Sequence, residues 1–175
     1  MKCPSCGHQN LPGIDACEQC QTSLTQEDVR KVQTDVERGL MEEQIKSLQP
    51  VEPLTVDSKT TLKQAIRIMR NKHIGCVVVT DDAGKLAGIL TERDLLQKVA
   101  GRNLDHSQCR VDDFMSQAPE SSKSEHPLAY ALHRMIISDI RYLPLVDEND
   151  RPEGIISSRD VIAYMKKRIK YERQE

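Results

Sequence analysis

An internal repeat of 66 residues constrains the fold of this chain more than any other feature. Shifting the sequence by 66 residues, with no gap, aligns Gly88 to Asp94 (GILTERD) with Gly154 to Asp160 (GIISSRD). It also aligns residues from Pro53 onward: Leu62 with Leu128, Ala65 with Ala131, Met69 with Met135, Ile74 with Ile140, and Asp81 with Asp147. One copy of about 50 residues buries little apolar surface alone, so we expect the two copies to pack together around a pseudo-two-fold axis.

Each copy predicts the same order of elements. Apolar residues recur at helical spacing over about 62–72 and 128–138, and an apolar run typical of a strand follows, CVVVT or YLPLV. A turn rich in Asp, Asn and Gly comes next, then a second strand that ends in the repeated motif, and then another helix. With a short leading strand, each copy is a βαββα unit, and the predicted fold class is mixed α+β.

The repeated motif supports two interpretations. Thr91 with Asp94, and Ser157 with Asp160, fit a capping box, in which a hydroxyl and an acid three residues later close the start of a helix. The same residues can also hold a ligand. A carboxylate accepts hydrogen bonds from two adjacent ribose hydroxyls, and the N–H groups at a helix start attract phosphate.

The first 24 residues predict a metal site. Cys3, Cys6, Cys17 and Cys20 form two C-x-x-C pairs, and four thiolates from two tight turns complete one tetrahedral zinc site per chain. A segment this short cannot bury a useful core. The metal must therefore supply most of its folding energy. From the ligands alone, iron is an alternative to zinc. A redox role is disfavoured because no strand-helix unit surrounds either pair.

The charge of this segment favours contact with protein over nucleic acid. Lys2 is its one basic side chain, against Asp15 and Glu18, and a zinc ion held by four thiolates adds roughly two negative charges. Such a surface does not attract phosphates.

Residues 25–50 predict one linker helix with a narrow apolar stripe. Thr25 with Asp28 is a plausible N-cap, and Pro50 and Pro53 end the helix. Such a stripe favours packing on the same protein or on a second copy over contact with a membrane. The stripe consists of Val29, Val32, Val36, Leu40, Met41, Ile45 and Leu48.

Composition excludes several classes of protein. The chain has 25 Lys and Arg against 27 Asp and Glu, a formal net charge of −2. This balance does not indicate binding to nucleic acid or to an anionic membrane. The start has no apolar targeting segment, and no run approaches the roughly 18 apolar residues of a membrane span. We therefore expect a cytoplasmic protein. The basic segment MKKRIKYERQE at the C-terminus is interpreted as serving helix stability and solubility, with nucleic-acid binding the weaker alternative.

Two parts of the chain resemble known families. CPSCGHQN and the second cysteine pair resemble the short four-cysteine zinc ribbon, although Gln21 stands where a glycine usually follows the last cysteine. Residues 51–170 resemble the tandem cystathionine-β-synthase-type module, or CBS pair. That likeness rests on GCVVVTDDAGKLAGILTERDLL, on VDDFMS at Val111 to Ser116, and on RYLPLVDENDRPEGIISSRDV.

The CBS resemblance implies where an adenosine ligand would bind. In that family the Asp of the motif contacts ribose and the Ser or Thr lies near phosphate. Arg141 sits where related modules often place a phosphate-contacting residue, and Gly75 takes its place in the first repeat. Arg141 is expected at the Ser157/Asp160 site, with the Thr91/Asp94 site as the alternative because pockets in this family draw on both repeats. The implied nucleotide-binding residues are Thr91, Arg93, Asp94, Arg141, Ser157, Arg159 and Asp160, with Arg93 and Arg159 alternatively solvated.

The resemblance also implies an architecture and an assembly. We expect a zinc ribbon at 1–24, the linker helix at 25–50, the first CBS repeat at 51–108, and the second, with the basic C-terminal helix, at 109–175. This family usually forms disc-like homodimers through its helices. The apolar residues expected at that interface are Leu95, Leu96, Val99, Val161, Ile162 and Met165.

These expectations define a function. The chain is interpreted as a regulatory protein that binds an adenosine nucleotide (AMP, ADP or ATP, with S-adenosylmethionine and NADH as further candidates) and reports occupancy to a protein partner that the sequence does not identify. The alternative is a ligand-free dimeric adaptor, associated with transcription, whose ribbon recognises a partner. An enzyme is disfavoured, because a Ser/Thr-Asp pair without a suitable base does not assemble a nucleophile.

Overall fold

The computed structural model of the chain describes residues 2–11, 14–24 and 34–172. Two compact units make up the fold. The ribbon unit comprises Met1–Pro50, Ser122–Leu143 and Ile156–Glu175, and the sheet unit comprises Val51–Ser121 and Pro144–Ile155.

The helices and strands follow the order that the repeat predicts, which is strand, helix, strand, strand, helix in each copy. The helices are α1 (Asp35–Glu42), α2 (Leu62–Lys72), α3 (Glu92–Asp94, continued as a π-helical turn over Leu95–Val99), α4 (Leu128–Ile137) and α5 (Ser158–Glu172), with 3₁₀ turns at Ile45–Leu48 and Val111–Asp113. The strands are β1 (Thr55–Asp57), β2 (Cys76–Thr80), β3 (Leu86–Thr91), β4 (Ser116–Gln117), β5 (Tyr142–Val146) and β6 (Pro152–Ser157).

The sheet unit is built on a four-stranded sheet in the order β1-β2-β3-β4. β1 runs parallel to β2, whereas β2 with β3 and β3 with β4 are antiparallel. α2 buries Leu62, Ala65 and Met69, whose spacing of three and four residues places them on one face. The core of this unit consists of Val56, Leu62, Ala65, Met69, Val77, Val79, Leu90, Val99, Val111 and Phe114.

The glycine of the first motif allows a close approach within this sheet. Gly88 pairs with Gln117 of β4, and a Cβ atom at position 88 would overlap the side chain of Met115. A larger residue at this position would therefore require the Met115 side chain to move.

The ribbon unit combines the cysteine segment with helices from both ends of the chain. α1 packs against α4 and α5. α1 comes so close to α5 that a Cβ atom at Gly39 would overlap the phenolic oxygen of Tyr164. That oxygen is buried and has no hydrogen-bond partner among the residues that the structure describes.

The prediction of one continuous linker helix is wrong. Thr34 caps α1 through a capping box with Glu37, so this helix begins at Asp35. Glu43 then turns to extended backbone, because backbone hydrogen bonds to another segment replace helical ones: Ile45 N–H donates to the His126 carbonyl, and Leu128 N–H to the Glu43 carbonyl. The predicted N-cap at Thr25 and Asp28, together with Val29 and Val32, lies outside the described residues.

Several residues assigned to a dimer face belong to the core. Val99 is 6% exposed and Val161 is fully buried, so neither offers surface to a partner. Leu95 and Met165 are half-buried, whereas Leu96 and Ile162 are 72% and 49% exposed. Among the described helices, none is long and apolar enough to cross a membrane.

Candidate functional site

The first motif closes the start of α3. The Thr91 hydroxyl accepts the N–H of Asp94 at 3.2 Å, and the Asp94 carboxylate accepts the Thr91 N–H at 3.0 Å and the Thr91 hydroxyl at 2.6 Å. The predicted capping box is therefore present. Asp94 is only 5% exposed.

Both oxygens of the Asp94 carboxylate are engaged within the sheet unit. Oδ2 accepts the two hydrogen bonds from Thr91. Oδ1 accepts the Ser116 hydroxyl at 3.0 Å and pairs with Lys98 Nζ at 2.7 Å. Burial raises the pKa of Asp94, but the hydrogen bonds from Lys98, Thr91 and Ser116 outweigh it and hold the pKa below its usual value. The first-repeat acid is thus ionised and fully satisfied by the protein.

The second motif has the same hydrogen bonds to its acid but a different environment. The Ser157 N–H and hydroxyl both donate to Oδ2 of Asp160, each at 2.7 Å. Asp160 is exposed, and its Oδ1 has no hydrogen-bond partner among the residues that the structure describes.

Arg141 lies at the point where the second motif enters α5. Its carbonyl accepts the N–H of Ser158 at 2.9 Å, and the carbonyl of Gly75 accepts the N–H of Glu92 at the same distance in the first repeat. This shared bond brings the backbone of Arg141 next to Ser157. The Arg141 side chain is exposed, and Arg93 and Arg159 are exposed on the first turns of α3 and α5.

The four predicted metal ligands lie together in the structure. The sulfurs of Cys3 and Cys20, and those of Cys6 and Cys17, are 3.6 Å apart, and all four lie within 4.8 Å of one another. Four sulfurs at about 2.3 Å from a tetrahedral zinc ion are about 3.8 Å apart, so this donor set fits the ion in size and type.

The two cysteine turns have the same backbone hydrogen bonds. Gly7 N–H donates to the Cys3 carbonyl at 2.9 Å, and Gln21 N–H to the Cys17 carbonyl at 2.8 Å. Gly7 has φ +75° and Gln21 φ +58°. Gln21 therefore adopts the left-handed conformation that a glycine would take without steric cost.

Asn10 connects the two turns. It is 3% exposed, its amide donates to the Cys17 sulfur at 3.5 Å, and its oxygen accepts the Glu18 N–H at 3.0 Å. Burial raises the pKa of Cys17, but the N–H groups of Cys20 and Gln19 and the Asn10 amide outweigh it and lower the pKa to about 6. By contrast, burial raises the pKa of Cys3 and of Cys6 above the usual thiol value.

The cysteine segment packs on α4. Tyr130 is 5% exposed and belongs to the same buried cluster as the four cysteines and Leu24. One turn further on, His133 Nε2 lies 3.2 Å from the carbonyl oxygen of Cys20.

Five residues of these sites were not predicted from the sequence. Lys98 carried a signal, since it follows Asp94 by four residues, the spacing of an ion pair on a helix. Asn10 and Ser116 lie within the quoted stretches CPSCGHQN and VDDFMS but received no role. No sequence pattern near Tyr130 or His133 indicates a contact with the cysteines, because that contact forms only in the folded chain.

Comparison with known proteins identifies the family. The model of the CBS domain matches residues 41–101 and 111–167, more than half of the chain. The chain therefore belongs to the CBS domain family and carries the domain twice. This result confirms the predicted tandem pair and the mixed α+β fold class.

Solved structures agree with this assignment. The CBS-domain containing protein ATU1752 from Agrobacterium tumefaciens is 30% identical, with a TM-score of 0.61, covering 69% of this chain and 94% of that one. The CBS domain pair of protein MJ0100, solved in complex with 5′-methylthioadenosine and S-adenosyl-L-methionine, has a TM-score of 0.64 over 71% of this chain and 97% of that one. At 22% identity, the likeness to MJ0100 shows the fold alone.

Some relatives are enzymes that carry CBS domains. The inosine-5′-monophosphate dehydrogenase of Methanocaldococcus jannaschii is 30% identical over 140 residues, 75% of this chain and 26% of the enzyme. The chain also spans less than two thirds of the length of the first curated relatives that it matches.

Proposed function

We propose that the chain is a cytoplasmic regulatory protein that binds an adenosine nucleotide at the second motif and carries a structural zinc site at its N-terminus. One observation carries the proposal: the Asp160 carboxylate, in the first turn of α5, is exposed and keeps Oδ1 without a partner among the described residues. The MJ0100 pair, solved with two adenosine compounds, supports the same ligand class.

The chemistry of this helix start suits a nucleotide. Oδ1 of Asp160 can accept hydrogen bonds from the two ribose hydroxyls while Oδ2 keeps its bonds to Ser157. The N-terminus of α5 adds partial positive charge for phosphate, and Arg141 adds a full charge on the adjoining segment. Charge-assisted contacts of this kind are worth about 1.5–3 kcal/mol each.

The first motif is the weaker candidate for the same role. Asp94 already accepts bonds from Ser116 and Lys98, and ribose would have to displace one of them from a nearly buried carboxylate. Its repeat also has Gly75 where the second has Arg141. We therefore propose that the Ser157/Asp160 site fills first.

Titration calorimetry with AMP, ADP, ATP, S-adenosylmethionine and NADH tests the proposal. We expect Asp160→Ala to remove most of the binding, Asp94→Ala to remove less, and Arg141→Ala to weaken ADP about tenfold or more while changing adenosine little. Asp82→Ala, at an exposed acid outside both motifs, is the matched control. A larger loss with Asp94→Ala would reverse the assignment of sites, and binding of none of these compounds would leave the motifs as caps alone.

The N-terminal site is proposed to hold one zinc ion, whose bonds to the four thiolates would replace the core that this segment lacks. Elemental analysis should give one zinc per chain, and Cys17→Ser should release it. The core of the sheet unit contains no cysteine of the ribbon, so the main thermal transition should persist after the metal is lost. Iron in the purified protein, or unfolding of the whole chain on chelation, would contradict this proposal.

A ligand-free adaptor is the second candidate function. It is favoured by the hydroxyl-acid pairs, since both already stabilise helix starts without a ligand. We propose no catalytic step in either case, because the lowered pKa of Asp94 makes it a poor base for the Thr91 hydroxyl.

A further inference from the structure

α4 carries the cysteine segment on one of its faces. Tyr130 contributes an apolar contact to the buried cysteine cluster, and His133, three residues later and so on the same face, contributes a polar one. A carbonyl oxygen only accepts hydrogen bonds, so His133 Nε2 donates to Cys20. Both contacts depend on the folded shape of the cysteine segment.

The segment that follows α1 holds the N-terminal end of the same helix. Leu128 N–H donates to the Glu43 carbonyl at 2.9 Å, and Ile45 N–H donates to the His126 carbonyl at 2.8 Å. The N-terminal part of the chain therefore holds the beginning and the middle of α4. At the other end, Ile136 and Ile137 are 67% and 68% exposed.

The exposed end of α4 is followed by Arg141, whose backbone contacts the start of α5. Ile140 N–H bonds to the Met135 carbonyl at 3.0 Å, which closes the helix and sets the direction of the chain. Arg141 comes next, and its carbonyl accepts the Ser158 N–H at 2.9 Å at the start of α5. Seven residues, four of them in α4, thus separate His133 from Arg141.

We propose that occupancy of the four-cysteine site regulates the affinity of the Ser157/Asp160 site for adenosine nucleotides, with α4 as the connecting element. This inference rests on the proposed function. Without metal the cysteine segment loses its fold, so Tyr130 and His133 lose their partners and α4 is held less firmly. Nucleotide binding must then order Arg141 and the start of α5, which weakens the observed affinity.

The coupling has a defined sign and is reciprocal. Zinc should tighten nucleotide binding, and bound nucleotide should raise the affinity for zinc by the same factor. Couplings of this type amount to about 5- to 150-fold in affinity.

Titration of AMP into zinc-loaded protein tests the coupling. We expect His133→Ala to keep one zinc per chain by elemental analysis and to raise the Kd for AMP at least about fivefold. His133→Gln, which restores an N–H donor, should recover part of the affinity. His106→Ala changes another half-buried histidine, in the sheet unit, and is the matched control.

A second measurement uses unmodified protein. Its zinc is removed with a chelator, the chelator is dialysed away, and AMP is titrated again. We expect a weaker Kd that recovers when one equivalent of zinc is added back. An equal Kd for AMP in the stripped, loaded and His133→Ala proteins would overturn the coupling and leave the proposed function intact. Absence of binding by every adenosine compound to zinc-loaded wild type would overturn both.

Discussion

At the scale of single residues, two acids with the same local hydrogen bonds differ in what else surrounds them. Asp94 and Asp160 each accept a hydroxyl and an N–H from the residue three positions earlier, as the repeated motif predicts. The Asp94 carboxylate also pairs with Lys98 and accepts the Ser116 hydroxyl, and these two contacts have no counterpart at Asp160 among the described residues. The motif therefore predicts the cap, whereas the availability of the carboxylate depends on residues outside the motif.

Asp94 should contribute more to stability than Asp160. We expect Asp94→Asn to cost about 1–3 kcal/mol at pH 7, because it weakens buried hydrogen bonds and leaves Lys98 without its charged partner. Asp160→Asn should cost less than about 1 kcal/mol, since its acid is exposed. Urea unfolding of both variants measures the difference.

The contribution of Asp94 should depend on pH with a defined sign. The pKa of this acid is lowered in the folded protein, so its stabilisation is present above the unfolded value of about 4. It is lost as the pH falls from there through the lowered pKa. The stabilities of wild type and Asp94→Asn should therefore converge as the pH falls below about 4, and a gap that widens on acidification would contradict the ionised, paired state of Asp94.

At the scale of elements, the sequence predicted those elements that its own periodicity determines. The helix over 62–72 and the strands at CVVVT and YLPLV have the predicted bounds, because the helix buries residues at helical spacing and each strand is a nearly continuous buried apolar run. The helix predicted at 128–138 ends one residue earlier. The prediction of a continuous linker helix was wrong because contacts with a distant segment, and not the spacing of its own apolar residues, determine the backbone there. Its apolar residues keep helical spacing as far as Leu48, yet hydrogen bonds to residues 126 and 128 draw the backbone out of the helix after Glu42.

The packing of α1 on α5 should depend on the absence of a side chain at Gly39. Gly39→Ala places a methyl group against the phenolic oxygen of Tyr164, so we expect a loss of about 1–3 kcal/mol despite the better helix propensity of alanine. Tyr164→Phe removes a buried oxygen that has no hydrogen-bond partner in the described part of the chain, so it should be neutral or slightly stabilising. The double variant should recover part of the loss, and strictly additive effects in thermal unfolding would argue against the contact.

At the scale of the whole molecule, several of the exposed apolar side chains lie on helices. Leu96, Ile136, Ile137 and Ile162 are each about half to three quarters exposed, and such residues favour association with another protein surface. The predicted interface residues Val99 and Val161 face inward instead. Helical spacing alone could not separate the two groups, because α3 and α5 each carry apolar residues on more than one face.

Self-association through the exposed isoleucines is the expected assembly. Wild type should scatter light as a dimer at micromolar concentration, and Ile162→Glu should shift it toward monomer without lowering thermal stability, because the side chain is already half exposed. Lys72→Glu, an exposed position on α2, provides a control with the same change to glutamate. A wild type that is monomeric throughout this range would remove the basis for a dimer.

The contact between Gly39 and Tyr164 also has a consequence during synthesis on the ribosome. Its two members are separated by about 125 residues, so at about 5–20 residues per second α1 waits roughly 6–25 s for the helix that covers it. During that interval the cysteine segment can already fold around its metal, whereas Val36 and Ile45, both buried in the finished protein, stay open to water and to chaperones. Until α5 emerges, the nascent chain would thus carry a metal-bound cysteine segment next to an α1 helix whose apolar face is still uncovered.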